Sequence, residues 1–292
     1  MTARVLVTGA SGNVGAPLVS RLSAAGEQVV AAVHGSPAGS DAVRFDFTDR
    51  STWAPALEGV DRVFLLRPPA LSDVKTYIRP FIIELRDRDV KHVVFLSVMG
   101  VNRFMPHWQV EQDLTGSALG WTFLRPSFFM QNLTGAYRNE IRDRDRIIQP
   151  AGRGRFSFVD AADLAEAAAI VLSDTAVYGH SVLTFTGSEA FGYANVAAKL
   201  SATLGRPITY QPGRLLAARR QLIADGADHG YANVQLVINL TARLGMAKRT
   251  TADLAHILGR PPTCLDTFIT ENQNSWTPTP SAISGTTTAP DT

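Results

Sequence analysis

The sequence contains very little cysteine and no strong excess of either charge. Cys264 is the only cysteine among 292 residues, which excludes an intrachain disulfide and a metal site built from cysteines. The net charge is +2, and no basic stripe with interleaved aromatic residues is present, so nucleic acid is not indicated as a partner. No apolar run reaches the roughly 20 residues that a membrane helix requires. We therefore expect a cytoplasmic protein with no metal site, no nucleic-acid partner and no membrane partner.

Apolar residues are plentiful, at 45%, and in the first half of the chain they alternate between strand-like and helix-like patterns. The predicted strands begin at Val5 and continue with Gln28–Val33, Val43–Phe47, Val60–Leu66, Val90–Ser97 and Trp121–Leu124. The predicted helices between them begin at Gly15 and continue with Thr52–Leu57, Ser72–Arg88 and Pro106–Leu119. This alternation predicts right-handed crossovers and an α/β fold with a doubly wound parallel sheet.

After Pro126 the pattern becomes mixed and does not repeat the first half. A helix is predicted over Phe128–Arg142, then short strands and helices follow. We expect a nucleotide-binding domain over residues 1–150, a smaller mixed α/β substrate-binding part over 151–276, and a disordered tail over 277–292. Predicted strands at 155–159 and 181–186 are alternatively part of the first domain, if they return to its sheet.

The first strand leads into glycines at three-residue intervals. In this Gly-x-x-Gly-x-x-Gly segment, Gly9 is expected to form the turn, Gly12 to let the backbone approach a pyrophosphate, and Gly15 to let the helix pack closely on the strand. Ser11, Asn13 and Val14 lie between them, at the N-terminus of the predicted helix, where unpaired N–H groups bind phosphate. The segment therefore predicts a dinucleotide site.

The end of the second strand lacks the carboxylate that holds the ribose of NAD. His34 follows that strand and is either a contact to the 2′-phosphate of NADP or an ordinary surface residue, so NADP is preferred and NAD remains possible. Asp46 and Phe47 end the third strand, where an acidic side chain can accept from the adenine amino group. Leu66 and Arg67 follow the fourth strand and are expected to cross the top of the sheet beside the cofactor, with Arg67 facing the pyrophosphate, the substrate or water.

Several segments resemble the NmrA-like group of atypical short-chain dehydrogenases/reductases, which includes NAD(P)H-dependent quinone and triphenylmethane-dye reductases. The resemblance covers most of residues 3–272. Its segments are Thr8-Gly-Ala-Ser-Gly-Asn-Val-Gly15, Leu57-Glu-Gly-Val-Asp61, Val90-Lys-His-Val-Val94, Leu124-Arg-Pro-Ser-Phe-Phe-Met-Gln-Asn-Leu133 and Thr251-Ala-Asp-Leu. It implies a Rossmann-type domain and a reductase activity.

The chain has no tyrosine or lysine between residues 92 and 136, so the Tyr-x-x-x-Lys pair of most short-chain reductases is missing. The corresponding helix has His107 and Glu111, which resemble a His-x-x-x-Glu pattern of NmrA-like members and lie one helical turn apart. We predict that His107 donates a proton, with Glu111 orienting it or raising its pKa. Ser97, at the end of the fifth strand, is a second catalytic candidate and a cofactor contact. Each of these residues also has a plain structural interpretation.

An apolar, aromatic-rich set of side chains is predicted to enclose a flat substrate. It consists of Met99, His107, Trp108, Phe128, Phe129, Met130 and Tyr137. Pro126 and Ser127 are expected to pass close to the nicotinamide. Hydride transfer to a quinone, an aromatic compound, an enone or a ketone can proceed without a protein acid, because the product anion can take its proton from water.

The preferred function is therefore an NADPH-dependent reductase of a flat apolar small molecule. Two alternatives remain: an NAD(P)-sensing regulator of a protein partner without enzymatic activity, and an epimerase or lyase that retains its cofactor. A sequence of this kind is compatible with a monomer or a homodimer.

Overall fold

A seven-stranded parallel sheet forms the centre of the fold. The computed structural model describes residues 4–37, 39 and 41–278. The strands of the described chain are β1 (Arg4–Val7), β2 (Gln28–Val33), β3 (Ala42–Arg44), β4 (Val60–Leu65), β5 (His92–Leu96), β6 (Gly120–Pro126), β7 (Arg146–Gln149), β8 (Arg155–Phe156), β9 (Ser181–Phe185), β10 (Phe191–Gly192) and β11 (Thr209–Pro212). The central sheet has the order β3-β2-β1-β4-β5-β6-β9. The direction of winding reverses between β1 and β4, which creates the crevice where ligands bind in such sheets.

Helices cover both faces of this sheet. They are α1 (Gly15–Ala24), α2 (Trp53–Ala56), α3 (Val74–Tyr77), α4 (Arg79–Asp87), α5 (Pro106–Thr115), α6 (Arg138–Arg144), α7 (Ala161–Ser173), α8 (Thr175–Tyr178), α9 (Tyr193–Leu204), α10 (Leu215–Ala224), α11 (His229–Arg243), α12 (Asp253–Leu258) and α13 (Leu265–Glu271). Among the described residues, none of these helices has both the length and the apolar character needed to cross a membrane.

The hydrophobic core is divided by the sheet into two layers. All five residues of β5 are buried, as expected when both faces of a parallel strand are covered. Val93 packs with α4 and α5 on one face, and Val94 packs with α1 and α7 on the other. A third core lies in the C-terminal part and includes the fully buried Trp276. The predicted α/β fold with a doubly wound parallel sheet is confirmed.

The helix predicted over Ser72–Arg88 is divided in two. α3 ends at Tyr77 and α4 begins at Arg79, with Ile78 between them. Pro80 is the second residue of α4 and has no N–H, so it cannot donate a helical hydrogen bond back to α3.

The helix predicted over Phe128–Arg142 is wrong for most of its length. The Val159 N–H donates to the Phe128 carbonyl and the Met130 N–H donates to the Val159 carbonyl, each at 2.9 Å. This parallel bridge holds Phe129 extended, because backbone groups that pair with Val159 cannot make helical bonds. Only a short 3-10 turn follows, over Met130–Asn132. Helix α6 begins only at Arg138.

The two later strands that were alternatives for the main sheet behave differently. The strand predicted at 155–159 is only β8, and it pairs antiparallel with β10 in a separate two-stranded sheet. It therefore does not return to the central sheet, whereas β9 joins it beside β6. A strand that was not predicted, β7, pairs in parallel with β11. The division into domains at residue 150 stays a prediction, and the predicted tail lies outside the described residues from 279 onward.

Candidate active site

The glycine loop connects β1 to α1 at the reversal point of the sheet. Gly9 has a φ of +67°, which the turn requires and which other residues rarely adopt. The Gly12 N–H donates to the Gly9 carbonyl at 2.9 Å. A Cβ on Gly15 would lie 2.1 Å from that same carbonyl oxygen, so only glycine fits there. The loop is thus held in a tight turn directly beneath the helix.

The N-terminus of α1 is open towards solvent. Val14 occupies the cap position without a side-chain hydrogen bond, and the first turn has no acidic residue. Ser11, Gly12 and Asn13 are exposed. An uncapped helix N-terminus behind exposed glycine-loop backbone fits the phosphates of a dinucleotide, because its N–H groups and the helix dipole favour an anion.

The adjacent strand ends are arranged around this loop. The Leu66 N–H donates to the Thr8 hydroxyl at 2.7 Å, and the Leu66 side chain lies against Gly9. The His34 side chain is 86% exposed, and its Nε2 lies 3.1 Å from a carboxylate oxygen of Asp46. Burial opposes the charge of Asp46, but hydrogen bonds from Thr48 and the nearby His34 outweigh it and hold the pKa of this carboxyl below its usual value. Both residues therefore lie at the carboxyl edge beside the loop.

Phe47 does not belong to this edge. Its ring packs against Phe45 at 4.8 Å and Phe81 at 5.4 Å, and the residue is 5% exposed. The ring is therefore part of the core, and the predicted cofactor contact of Phe47 stays a prediction that only its backbone, next to Asp46, could meet.

Glu111 forms the centre of a buried network at the end of β5. The Ser97 hydroxyl donates to Glu111 Oε1 at 2.6 Å, and Arg125 donates to both carboxylate oxygens, at 2.9 and 2.5 Å. Because a carboxylate only accepts, the Ser97 hydroxyl hydrogen is committed and Ser97 can accept from a ligand but not donate to it. The predicted partnership of Glu111 with His107 is wrong. Arg125 was not predicted, although it lies inside the Leu-Arg-Pro segment.

His107 faces Arg67 instead. Arg67 Nη2 lies 3.4 Å from His107 Nε2. Burial first, and the Arg67 charge second, lower the pKa of His107 to about 3. The expected increase of its pKa is therefore wrong, and the imidazole is neutral at pH 7. Of the three orientations considered for Arg67, the one towards water is excluded, since the residue is 7% exposed.

The residues after β6 connect the carboxyl edge of the central sheet to the C-terminal part of the chain. The Met99 N–H donates to the Pro126 carbonyl and the Ser127 N–H donates to the Phe185 carbonyl, each at 2.8 Å. The Ser127 hydroxyl accepts from Ser157 at 3.1 Å. These bonds fix the segment that leads from the sheet to Phe128.

A cleft of about 500 Å³ begins at Phe128. Phe128 and Tyr137 form one wall, and α10 and α11 form the other, with Arg214 and Asn239 among several polar wall residues. Burial raises the pKa of the Tyr137 hydroxyl. The α10 and α11 residues were not predicted, because their pattern is that of ordinary helices.

The other predicted substrate residues lie elsewhere. Met130 is 2% exposed and packs in the C-terminal core, so its predicted substrate contact is corrected. Phe129 is partly buried against the core beside α7. Met99, His107 and Trp108 do not line the cleft, and Trp108 is exposed. In the described ranges, no group of three or more His, Cys, Asp or Glu residues could hold a metal ion.

Comparisons with known proteins agree with this architecture. The profile of the NmrA-like family matches residues 1–242. An uncharacterized oxidoreductase of Bacillus subtilis, YesF, is 31% identical over 277 residues, which cover 94% of this chain and 96% of that protein.

Two solved structures have the same fold. The NADPH-dependent quinone oxidoreductase of Escherichia coli in complex with NADPH has a TM-score of 0.80 at 24% identity, over 92% of this chain and all of the other. The Citrobacter sp. triphenylmethane reductase with NADP(H) has a TM-score of 0.75 at 20% identity, over 93% of this chain and 99% of the other.

Proposed function

The chain belongs to the NmrA-like family, and from this we propose that it is an NADPH-dependent reductase of a flat, apolar small molecule. The observation that carries the proposal is that two candidate sites begin at the same carboxyl edge of the central sheet. The glycine loop with its open helix N-terminus lies at the carboxyl edge of the sheet. The aromatic cleft begins at Phe128, two residues after β6 ends at that same edge.

The cofactor would be held mainly by the glycine loop. Backbone N–H groups of Ser11 and Asn13, at the exposed N-terminus of α1, suit a pyrophosphate. His34 suits the 2′-phosphate of NADP, in exchange for its contact with Asp46, and the residues directly after β2 include no carboxylate. When bound, NADPH supplies a hydride to the acceptor.

The residues at the carboxyl edge of the sheet would position and enclose the acceptor. They would not donate the proton that the reduced acceptor needs. Ser97 is committed to Glu111 as a donor, and His107 is a neutral imidazole. Neither is a strong acid at pH 7, so the reduced product takes its proton from water. The contribution of the protein is then proximity and an apolar environment.

The cleft favours a planar apolar acceptor. Phe128 packs against Phe156 at 4.9 Å and Phe158 at 5.8 Å, so its ring is held firmly at the entrance. The walls combine the rings of Phe128, Tyr137 and Tyr231 and aliphatic side chains with several polar groups, and concave sites of this kind bind small molecules. Quinones and conjugated enones match this shape and chemistry.

The test measures acceptor-dependent oxidation of NADPH by wild type, Gly15→Ala and Gly116→Ala. A Cβ on Gly15 meets the Gly9 carbonyl at 2.1 Å, whereas one on Gly116 meets its nearest atom at an ordinary 3.5 Å. We expect wild type and Gly116→Ala to reduce at least one quinone or enone, and Gly15→Ala to lose at least about tenfold in NADPH affinity. Binding of NADPH without oxidation by any acceptor would favour a dinucleotide sensor instead.

A further inference from the structure

Arg67 is a buried cation without a carboxylate partner among the described residues. Its side chain follows β4, and its Nη1 donates to the carbonyls of Pro68, Pro69 and Leu71 at 2.8, 3.3 and 3.0 Å. No carboxylate oxygen in the described chain lies within ion-pair distance of it. Asp228 attracts the guanidinium only from farther away, and burial lowers the pKa of Arg67 to about 10. The group is still charged at pH 7.

Two N–H groups at this position have no acceptor. Arg67 Nε is buried without a hydrogen-bond partner in the described chain. The Nη2 of Arg67 can only donate, so His107 Nε2, 3.4 Å away, is the acceptor and the imidazole proton lies on Nδ1. His107 Nδ1 is also buried and unpartnered in the described chain. The pair therefore has an excess of positive charge and of unused donors.

The position of this pair is the carboxyl edge of the sheet. Arg67 comes two residues after β4, directly after the Leu66 that lies against Gly9, and His107 is the second residue of α5, which follows β5. Neither residue lines the cleft that begins at Phe128, so the pair would act on the end of the acceptor that reaches the strand ends beside the glycine loop. Strands β4 and β5 are neighbours. No side chain caps the N-terminus of α5, so the helix dipole adds to the positive potential there. Fixed positive charge in a water-poor site acts most strongly on negative charge that develops during a reaction.

We propose that Arg67, together with the neighbouring His107, makes this reductase selective for acceptors whose reduction leaves a negative charge on oxygen. The inference rests on the proposed reductase function and deepens it, because it names the substrate class. The preferred acceptors are quinones and conjugated enones, and the disfavoured ones are cationic dyes and iminium compounds.

The charge balance of the two classes explains the selection. A neutral quinone or enone that gains a hydride forms one new bond to hydrogen and becomes an anion, with the charge on oxygen, until water supplies a proton. NADPH is oxidised to NADP⁺ in the same step. A cationic triphenylmethane dye gains the same hydride at its central carbon and becomes neutral, so no proton is needed. A fixed positive charge lowers the barrier of the first reaction and raises that of the second.

The test compares kcat/KM for menadione and for malachite green in Arg67→Met, Arg67→Lys and the control Arg103→Met. Arg103 is an exposed arginine on the loop before α5. The ratio of the two activities within one sample does not depend on how much of a variant is folded. We expect the menadione-to-dye ratio to fall at least about tenfold in Arg67→Met. It should stay within about threefold of wild type in Arg67→Lys and Arg103→Met. An unchanged ratio in Arg67→Met would overturn the inference.

A binding measurement separates this inference from the proposed function. The anion 2-hydroxy-1,4-naphthoquinone and its neutral 2-methoxy ether are titrated into the same variants in the presence of NADP⁺. Arg67→Met should weaken binding of the anion at least about tenfold and leave that of the ether unchanged. If no acceptor oxidises NADPH but this difference is present, the reductase proposal fails and the anion site stands. Equal losses for both compounds would refute the anion site.

Discussion

The buried carboxylate of Glu111 allows a sharp test of the network at the end of β5. Its side chain is 3% exposed and is bound by Ser97 and by both donors of Arg125. Removing one partner of a buried ion pair typically costs about 3–5 kcal/mol. In Glu111→Gln the amide oxygen still accepts from Ser97, and Arg125 is 29% exposed, so it can reach water. We therefore expect a loss of about 2–3 kcal/mol in the free energy of unfolding.

Asp113 provides a matched control on the same helix. It pairs with Arg79 at 2.9 Å, but the Arg79 side chain is 43% exposed. Such a pair is worth at most about 1 kcal/mol, so Asp113→Asn should cost about 0.5 kcal/mol. Urea unfolding followed by tryptophan fluorescence measures both variants, and Glu111→Gln should also melt about 4–8 °C lower than Asp113→Asn. Equal stabilities, within about 0.5 kcal/mol, would refute the energetic role assigned to the buried network.

Two further predictions concern histidines at strand ends. His34→Ala removes the partner of Asp46. In a fluorescence titration it should raise the Kd for NADPH about fivefold and leave the Kd for NADH unchanged. Equal changes for both cofactors would contradict a 2′-phosphate contact. Burial first, and His180 second, lower the pKa of His92 to about 4. Between about pH 6.5 and 4 the unfolded chain therefore binds a proton at this histidine that the folded chain does not bind. The free energy of unfolding falls as the pH falls through this range. His92 should account for about 2 kcal/mol of the free energy of unfolding that the wild type loses between pH 7.5 and pH 5. In urea unfolding, His92→Gln should therefore lose about 2 kcal/mol less than the wild type over that range. Identical losses in the two proteins would argue against a lowered pKa of His92.

Local sequence patterns were sufficient to predict the central sheet and the glycine loop. Strand β5 is an almost continuous apolar run, as a strand of a parallel sheet that is buried on both faces requires. The spacing of Gly9, Gly12 and Gly15 reflects contacts within seven residues, so it can be interpreted without the rest of the chain.

Features that depend on distant pairing could not be predicted in the same way. The segment at Phe128 has a helical apolar pattern, but pairing with Val159, 31 positions later, holds it extended. Similarly, the four-residue spacing of His107 and Glu111 suggests that they interact. Glu111 instead binds Arg125, on a neighbouring strand, and His107 contacts Arg67, 40 positions earlier. Spacing along a helix identifies a shared face but not the partners that the fold brings to it.

The central claim is that this chain transfers hydride from NADPH to a small apolar acceptor. The most direct measurement uses NADPH that carries deuterium at both C4 positions, with a conjugated enone as the acceptor and Gly15→Ala as the control. Mass spectrometry should find one deuterium on the β-carbon of the reduced product, formed by wild type and at least about tenfold more slowly by Gly15→Ala. NADPH that is bound but not consumed, or a product without deuterium, would contradict the claim.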